Sequence, residues 1–175
     1  MLTVVGIDPS KLTGLAVVRR TEDRRLRVLN IRTLEIPDTW SAAPGSAIRI
    51  FQEAVALAEF AEGRVAVAIE MPFFAGTEHR GAFGAQMMLV GGLLSLLAAQ
   101  QVDVRQVNVK SAKMAATGDP NATKAAVITA VKDLPGVATA LDWKRKPYRE
   151  AQADAVSVAM AGIEAVIKEA RNARP

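Results

Sequence analysis

The sequence predicts an α/β fold in which a five-stranded mixed sheet is flanked by helices. Residues 2–7 and 14–18 are short β-rich runs joined by a Pro-Ser turn, which predicts a hairpin, and the alternation in residues 26–36 predicts a third strand. After this three-strand meander, helical and strand patterns alternate, as they do in sheets covered by helices. Residues 65–69 are nearly all apolar, which is typical of a strand buried on both faces.

The predicted elements follow the order βββαβαβα, with one further helix at the C-terminal end. No internal repeat, low-complexity tract or linker interrupts this order, so we expect a single domain over residues 1–175. After the third strand, the predicted elements are a helix over residues 47–62 capped by Ser46, a strand over 65–69, a helix over about 84–100, a strand over 102–107, a helix from a cap at Asn121 to Leu134, and a helix over about 149–171.

The composition narrows the range of possible functions. The chain contains no cysteine, which excludes disulfides and thiolate metal sites, and its net charge of +4 is compatible with a polyanionic partner. The longest apolar stretch, residues 87–99, is shorter than the roughly 20 residues that cross a bilayer. No signal-peptide pattern is visible at the N-terminus. We therefore expect a cytoplasmic protein without a membrane partner.

Three acidic residues stand where the predicted fold can bring them together. Asp8 ends the first apolar run before a Pro-Ser turn, Glu70 ends the strand over 65–69, and Asp154 lies on the last helix. Mg²⁺ prefers oxygen ligands, and two such ions about 4 Å apart promote phosphodiester hydrolysis. Asp8 can also be an ordinary turn acid and Asp154 an exposed helix residue. However, Asp154 lies in the small, apolar stretch 151–160, where an unpaired acid is unusual.

In its ordered motifs the chain resembles the RuvC-type Holliday-junction resolvases, which have a ribonuclease H-like fold. The resemblance covers residues 3 to about 162 and implies a metal-dependent endodeoxyribonuclease that resolves four-way DNA junctions by paired symmetric nicking. It also implies two Mg²⁺ ions per site, with Mn²⁺ as a substitute, a homodimer formed through residues 87–97, and a possible branch-migration partner. The matching motifs are Gly6-Ile7-Asp8-Pro9, Ala68-Ile69-Glu70, residues 113–118 with Lys124, and Ala153-Asp154-Ala155.

The resemblance implies a role for each matching position. Asp8, Glu70 and Asp154 correspond to catalytic metal ligands, and Lys124 corresponds to a catalytic lysine near the scissile phosphate. The family usually has a further acid or histidine where this chain has Ala151. Glu150 lies one helical turn before Asp154 and is a candidate replacement ligand, or else a solvated acid of the first helical turn.

Seven residues are candidates for contact with DNA. The resemblance implies that an aromatic residue at position 73 stacks on bases, an interaction worth about 1–3 kcal/mol per base. For the two phenylalanines the alternative is burial, and for the lysines it is a solvated helix face. The candidates are Phe73, Phe74, Arg80, Lys110, Lys113, Thr117 and Lys124.

Three other functions stay open at this point. Ala151 motivates a junction-binding protein that has lost catalysis. A related nuclease acting on flaps, bubbles or RNA–DNA hybrids would share the same fold, because substrate choice depends on loops. A sugar-kinase-like or actin-like nucleotide binder has a similar acidic hairpin, but such proteins need two domains and several hundred residues.

Overall fold

The computed structural model describes residues 1–37, 42–59, 61–72, 80–138 and 145–173, except for the side chains of residues 80–82. This part of the chain forms five strands and five helices. The strands are β1 (Leu2–Asp8), β2 (Leu12–Arg20), β3 (Leu26–Glu35), β4 (Arg64–Glu70) and β5 (Val104–Val107). The helices are α1 (Ala43–Ala58), α2 (Arg80–Ala99), α3 (Val109–Thr117), α4 (Lys124–Lys132) and α5 (Lys146–Asn172).

The strands form one mixed sheet in the order β3-β2-β1-β4-β5, which confirms the predicted sheet. The central strand β1 pairs with β2 in antiparallel and with β4 in parallel orientation. In these registers Asp8 lies opposite Gly14, and Ile7 lies opposite Ile69. The carboxyl ends of β1 and β4 therefore meet at one edge of the sheet.

Helices cover both faces of the sheet. Val5 and Ile7 of β1 pack in the core beneath α1 and α2, whereas Val4 packs in the core beneath α3, α4 and α5. Side chains of a strand alternate between the two faces, so a central strand covered on both sides is apolar over most of its length. In the described part of the chain, no helix combines the length and apolar character that crossing a bilayer requires.

Helices α1, α2 and α5 begin earlier than the sequence pattern predicts, and in α1 and α5 the reason is a proline in the first turn. Pro44 lies in the first turn of α1, so Ser46 is a buried residue inside the helix and not its cap. In the same way, Pro147 lies in the first turn of α5. Proline fits the first turn because its fixed φ suits a helix and the N–H it lacks has no intrahelical partner there.

The helix α3 is not predicted by the sequence pattern, although both of its ends have typical cap residues. The side-chain oxygen of Asn108 accepts the N–H of Ser111 at 2.8 Å, and Gly118 ends the helix with a φ of 77°. At the start of α4 the cap is Thr123 and not Asn121, because the Thr123 hydroxyl accepts the N–H of Ala126 at 3.2 Å.

Helix α5 lies directly on the backbone of β1 and β2, and two glycines make this contact possible. A Cβ atom on Gly6 would lie 2.2 Å from the carbonyl oxygen of Ala155, and one on Gly14 would lie 2.0 Å from that of Ala151. Both distances are far below a van der Waals contact, so no other residue fits at either position without moving the helix. The glycines therefore fix how closely α5 approaches the sheet.

We predict that Gly6→Ala destabilises the protein by about 1–3 kcal/mol, because the added methyl group would overlap backbone atoms of α5 that cannot rotate away. The matched control is Gly45→Ala in the first turn of α1, where a Cβ atom would meet nothing within 4 Å. The control should be neutral or stabilising by up to about 1 kcal/mol. Urea unfolding of the three proteins measures the difference, and equal midpoints for all three would contradict the close packing of α5.

Candidate active site

The first two acids of the site are placed by neighbouring strand ends. Asp8 is the last residue of β1 and Glu70 the last residue of β4, and the two strands are parallel neighbours. Burial raises the pKa of Asp8 well above its ordinary value, and the charges of Glu70 and Asp154 raise it further. Two strand ends thus bring like charges together in a partly dehydrated position.

The turn after Asp8 is held by hydrogen bonds from both sides. The side-chain amide of Gln86, on α2, donates to the carbonyl oxygen of Pro9 at 2.7 Å. Across the turn, the Thr13 hydroxyl donates to the carbonyl oxygen of Ser10 at 2.7 Å and accepts the Ser10 N–H at 3.3 Å. The end of β1, and with it Asp8, is therefore fixed to both β2 and α2.

Asp154 reaches the same edge from α5. Its helical neighbours Ala153 and Ala155 are fully buried against the sheet, while the Asp154 side chain is 25% exposed. Burial raises the pKa of Asp154, although the nearby Lys124 ammonium opposes this effect. Burial and then the charge of Asp154 raise the pKa of Glu70 to about 7. The three acids therefore act on one another electrostatically.

Lys124, the first residue of α4, supplies positive charge to this group. Its Nζ lies 3.3 Å from Oδ2 of Asp154 and 3.8 Å from Oε2 of Glu150. Burial lowers the pKa of Lys124, but the charges of Asp154, Glu150 and Asp8 outweigh that effect and raise it overall. Lys124 therefore stays protonated beside the acids.

The acids and lysines line one open cleft of about 350 Å³. Its lining includes the three acids with Lys124 and Lys113, and it comes from β1, β4, α3, α4, α5 and the turn after β1. Such a cleft can hold a phosphate group beside the lysine ammonium groups. The lining residues are Asp8, Ser10, Glu70, Val109, Ala112, Lys113, Lys124, Val127, Asp154 and Ser157.

The three acids have the donor atoms and the negative charge that a divalent ion requires. All donors are carboxylate oxygens, which Mg²⁺ prefers, and a cation would relieve the repulsion that raises their pKa values. Among the described residues, however, no three His, Asp or Glu side chains already form a metal-binding group. The positive charge next to Asp154 is the Lys124 ammonium, whose Nζ lies 3.3 Å from Oδ2 of that carboxylate.

The predicted DNA contacts are distributed unevenly around this cleft. Lys113 lines it, whereas Lys110, on the same helix, lines a different cavity with Met114 and Lys168. The Thr117 hydroxyl donates to the carbonyl oxygen of Lys113 at 2.8 Å and accepts the Asp119 N–H at 3.1 Å, so it closes the end of α3. Three candidates lie outside the described residues: Phe73, Phe74 and the side chain of Arg80.

Sequence reasoning missed five residues of the cleft, and four of them have small or β-branched side chains on helices. The missed residues Val109 and Ala112 belong to α3, the helix that was not expected. Asn108 and Gly118, one residue outside each end of α3, were the signal that would have revealed it. The missed residues are Ser10, Val109, Ala112, Val127 and Ser157.

Solved structures with the same fold include nucleases that act on branched DNA. Thermus thermophilus RuvC in complex with a Holliday junction substrate has a TM-score of 0.71 and 24% identity, over 96% of this chain and 97% of that chain. Thermus thermophilus RuvC in a separate structure gives 0.67 and 22%, over 95% and 96%. The yeast mitochondrial Holliday junction resolvase Ydc2 gives 0.70 and 16%, over 97% of this chain and 81% of that chain. These likenesses confirm the ribonuclease H-like fold.

A search of curated protein sequences found no significant match. The family model described as "Crossover junction endodeoxyribonuclease RuvC" matches residues 4–162, which is most of the chain. The chain therefore belongs to the RuvC family. It is a junction-resolving endonuclease that hydrolyses phosphodiester bonds in DNA.

Proposed function

We propose that this chain cuts four-way DNA junctions in the cleft at the carboxyl ends of β1 and β4. In this proposal Asp8, Glu70 and Asp154 are the metal ligands and Lys124 is the catalytic lysine. The observation that supports it best is the convergence of three carboxylates, from β1, β4 and α5. Burial raises the pKa of all three, and the charge of Asp154 raises the pKa values of Asp8 and Glu70 further. A group of partly buried acids is unfavourable for stability and is typical of a functional site.

The chemistry divides between bound ions and the side chains of the chain. Two Mg²⁺ ions, for which Mn²⁺ can substitute, would supply a hydroxide nucleophile from water and stabilise the leaving oxygen. Asp8, Glu70 and Asp154 would hold these ions, and Glu150, which lies 3.8 Å from the Nζ of Lys124, is the candidate for a fourth ligand. Lys124 would neutralise charge that develops on the phosphate, and Lys113 would position the neighbouring backbone.

Other residues of the cleft would orient the substrate and limit access of water. Val109, Ala112 and Val127 form apolar walls next to the charged end. A low-polarity wall strengthens the interaction between the Lys124 ammonium and a phosphate oxygen, because fewer water molecules screen it. The DNA contacts of Phe73, Phe74, Arg80, Lys110 and Thr117 remain predictions within this proposal.

Paired symmetric nicks require two copies of the site, so the proposal includes a homodimer. Helix α2 offers a surface for it, because Met87 and Met88 are 40% and 43% exposed and a Cβ atom on Gly91 would meet nothing within 4 Å. Apolar groups on one helical face can pack against the same face of a second copy. A branch-migration partner and action on DNA in the cytoplasm belong to the same proposal.

The second candidate is a family member that binds junctions but is catalytically weak. Ala151 favours it, because the position where the family usually has a further ligand contains only a buried methyl group here. The carbonyl of Ala151 lies over Gly14, so this part of α5 is in tight contact with β2. If Glu150 does not replace the missing ligand, one ion would be bound weakly.

We predict that the purified protein nicks an immobile four-way junction in symmetric pairs with Mg²⁺ and leaves it intact with EDTA. Linear duplex of the same sequence and a flapped duplex are the comparison substrates. Binding without cutting in both Mg²⁺ and Mn²⁺ would favour the second candidate. Preferential cutting of the flap would be consistent with the proposed metal site but would contradict the four-way junction as the preferred substrate.

We predict that Asp8→Asn abolishes cleavage but retains junction binding, because it removes an ionic ligand with little change in shape. The same change should stabilise the metal-free protein, since it removes a buried charge next to Glu70 and Asp154. A gain of about 1 kcal/mol would raise Tm by about 2–4 °C. Gel-shift, cleavage and thermal-unfolding measurements check these outcomes.

The matched control for this variant is Asp133→Asn at the end of α4, where the side chain is exposed. It removes the same charge at the far end of the helix that begins with Lys124, and it should change neither cleavage nor Tm measurably. Cleavage by Asp8→Asn at the wild-type rate would refute the assignment of this cleft as the active site.

We predict that Met88→Asp converts a dimer into monomers, because it places a charge in the apolar face of α2. Analytical ultracentrifugation measures the change. Met114→Asp, on α3, is the matched control, because Met114 is 47% exposed and belongs to another surface. A dimer unaffected by Met88→Asp, or disrupted equally by the control, would contradict dimerisation through α2.

A further inference from the structure

Lys124 forms ion pairs with two acids of the same helix, in addition to any contact with a phosphate. The ammonium is placed between two acids of α5, 3.3 Å from Asp154 and 3.8 Å from Glu150. Glu150 also lies 3.9 Å from the Nζ of Lys146, one turn earlier on α5. Lys146, Glu150 and Asp154 are spaced four residues apart and therefore share one face of the helix. Lys124 approaches this row from the start of α4.

We propose that Lys124 acts as the tethered cation of the cleft when no divalent ion is bound, and that Glu150 is its positioning residue, which receives the ammonium when an ion takes Asp154. This inference rests on the proposed function of the cleft as a metal site. It assigns Glu150 to the lysine, in place of the alternative that Glu150 is a fourth metal ligand.

The distribution of charge in the site separates Glu150 from the other acids. The charges that raise the pKa of Asp8 come from Glu70 and Asp154, whereas the charge of Glu150 acts on Asp154 and Lys124. Glu150 is therefore placed to influence the lysine and one metal ligand, at the outer side of the group. The two lysine partners of Glu150 belong to different helices, Lys124 to α4 and Lys146 to α5. Glu150 can therefore stay paired with one lysine when the other moves.

The Lys124 side chain has the freedom to change partners. It is 61% exposed, while Glu150 and Asp154 are 24% and 25% exposed at the wall of the cleft. The two acids differ by only 0.5 Å in their distance from Nζ, as 3.8 Å and 3.3 Å show. A small rotation of the lysine would exchange Asp154 for Glu150 without withdrawing the ammonium from the cleft, where a phosphate would meet it.

Competition between Lys124 and an ion has a measurable consequence. Because the ammonium must leave Asp154 before a divalent ion uses that carboxylate, Lys124→Met should bind Mn²⁺ about three- to tenfold more tightly in DNA-free protein. Electron paramagnetic resonance of free Mn²⁺ measures this affinity and requires no catalysis. Lys113→Met is the matched control, since it removes the same charge from the same cleft but from a residue outside these ion pairs.

The expected result is a clearly larger gain in Mn²⁺ affinity for Lys124→Met than for Lys113→Met. Equal gains would mean that Lys124 acts only through its general charge, and they would overturn the inference. An affinity that is unchanged or weaker in Lys124→Met would overturn it as well.

A double-mutant cycle tests the role of Glu150. If Glu150 acts by receiving the lysine, Glu150→Gln weakens Mn²⁺ binding about two- to fivefold in the wild-type background and by less than about twofold in the Lys124→Met background. If Glu150 is a metal ligand, the change weakens binding by the same factor in both backgrounds, and that result would overturn the inference. Glu164→Gln, on an exposed part of α5, controls for the loss of charge.

The two proposals fail in different ways in this experiment. Wild-type protein that binds no Mn²⁺, or binds it equally well after Asp8→Asn, would refute the metal site and the inference with it. Binding that depends on Asp8 but responds equally to the two lysine changes would leave the metal site standing and refute the tethered cation alone.

Discussion

The contact of α5 with the backbone of β1 and β2 is the constraint on which the site depends. Gly6 and Gly14 leave no space for a Cβ atom beneath the helix, and the helix presents Ala151, Ala155 and Ala159 to them. Because no strand side chain separates the helix from the sheet at Gly6 and Gly14, Asp154 reaches the ends of the strands instead of standing a side-chain length above them. The small residues of this interface thus determine the position of the third acid.

The same close packing creates an electrostatic cost at the carboxyl ends of β1 and β4. Asp8, Glu70 and Asp154 are brought together where burial already disfavours their charged forms. Hydrogen bonds around Pro9 and Ser10 prevent the turn from relaxing away from this arrangement, and Lys124 offsets part of the repulsion. The architecture thus maintains a group of acids that would separate in a more flexible setting.

Sequence patterns predicted the elements that depend on local or periodic signals. The apolar runs ending in Asp8 and Glu70 became neighbouring parallel strands, and Asp154 arrived on the last helix, as expected. Helix α3 was missed because its signal is in its caps, Asn108 and Gly118, and not in a strong apolar period. Helices α1 and α5 begin earlier than predicted because the signal for each start is a proline in the first turn and not an apolar period.

Other features depend on how helices dock and cannot be read from spacing. Lys110 and Lys113 are near neighbours in sequence, but the packing of α3 against α5 directs only Lys113 into the cleft. The pairing of Lys124 with Glu150 joins two helices through a tertiary contact, so the sequence showed Glu150 only as a candidate ligand. Close approach at Gly6 and Gly14 likewise became interpretable only with α5 in place.

The most direct test of the account is a crystal of the protein soaked in Mn²⁺ and measured for anomalous scattering. The account predicts peaks in the cleft, about 2 Å from carboxylate oxygens of Asp8 and of Glu70 or Asp154, and their loss in Asp8→Asn. Peaks confined to other acids of the surface, with the cleft empty in the wild-type protein, would contradict the central claim that these three carboxylates form the metal site.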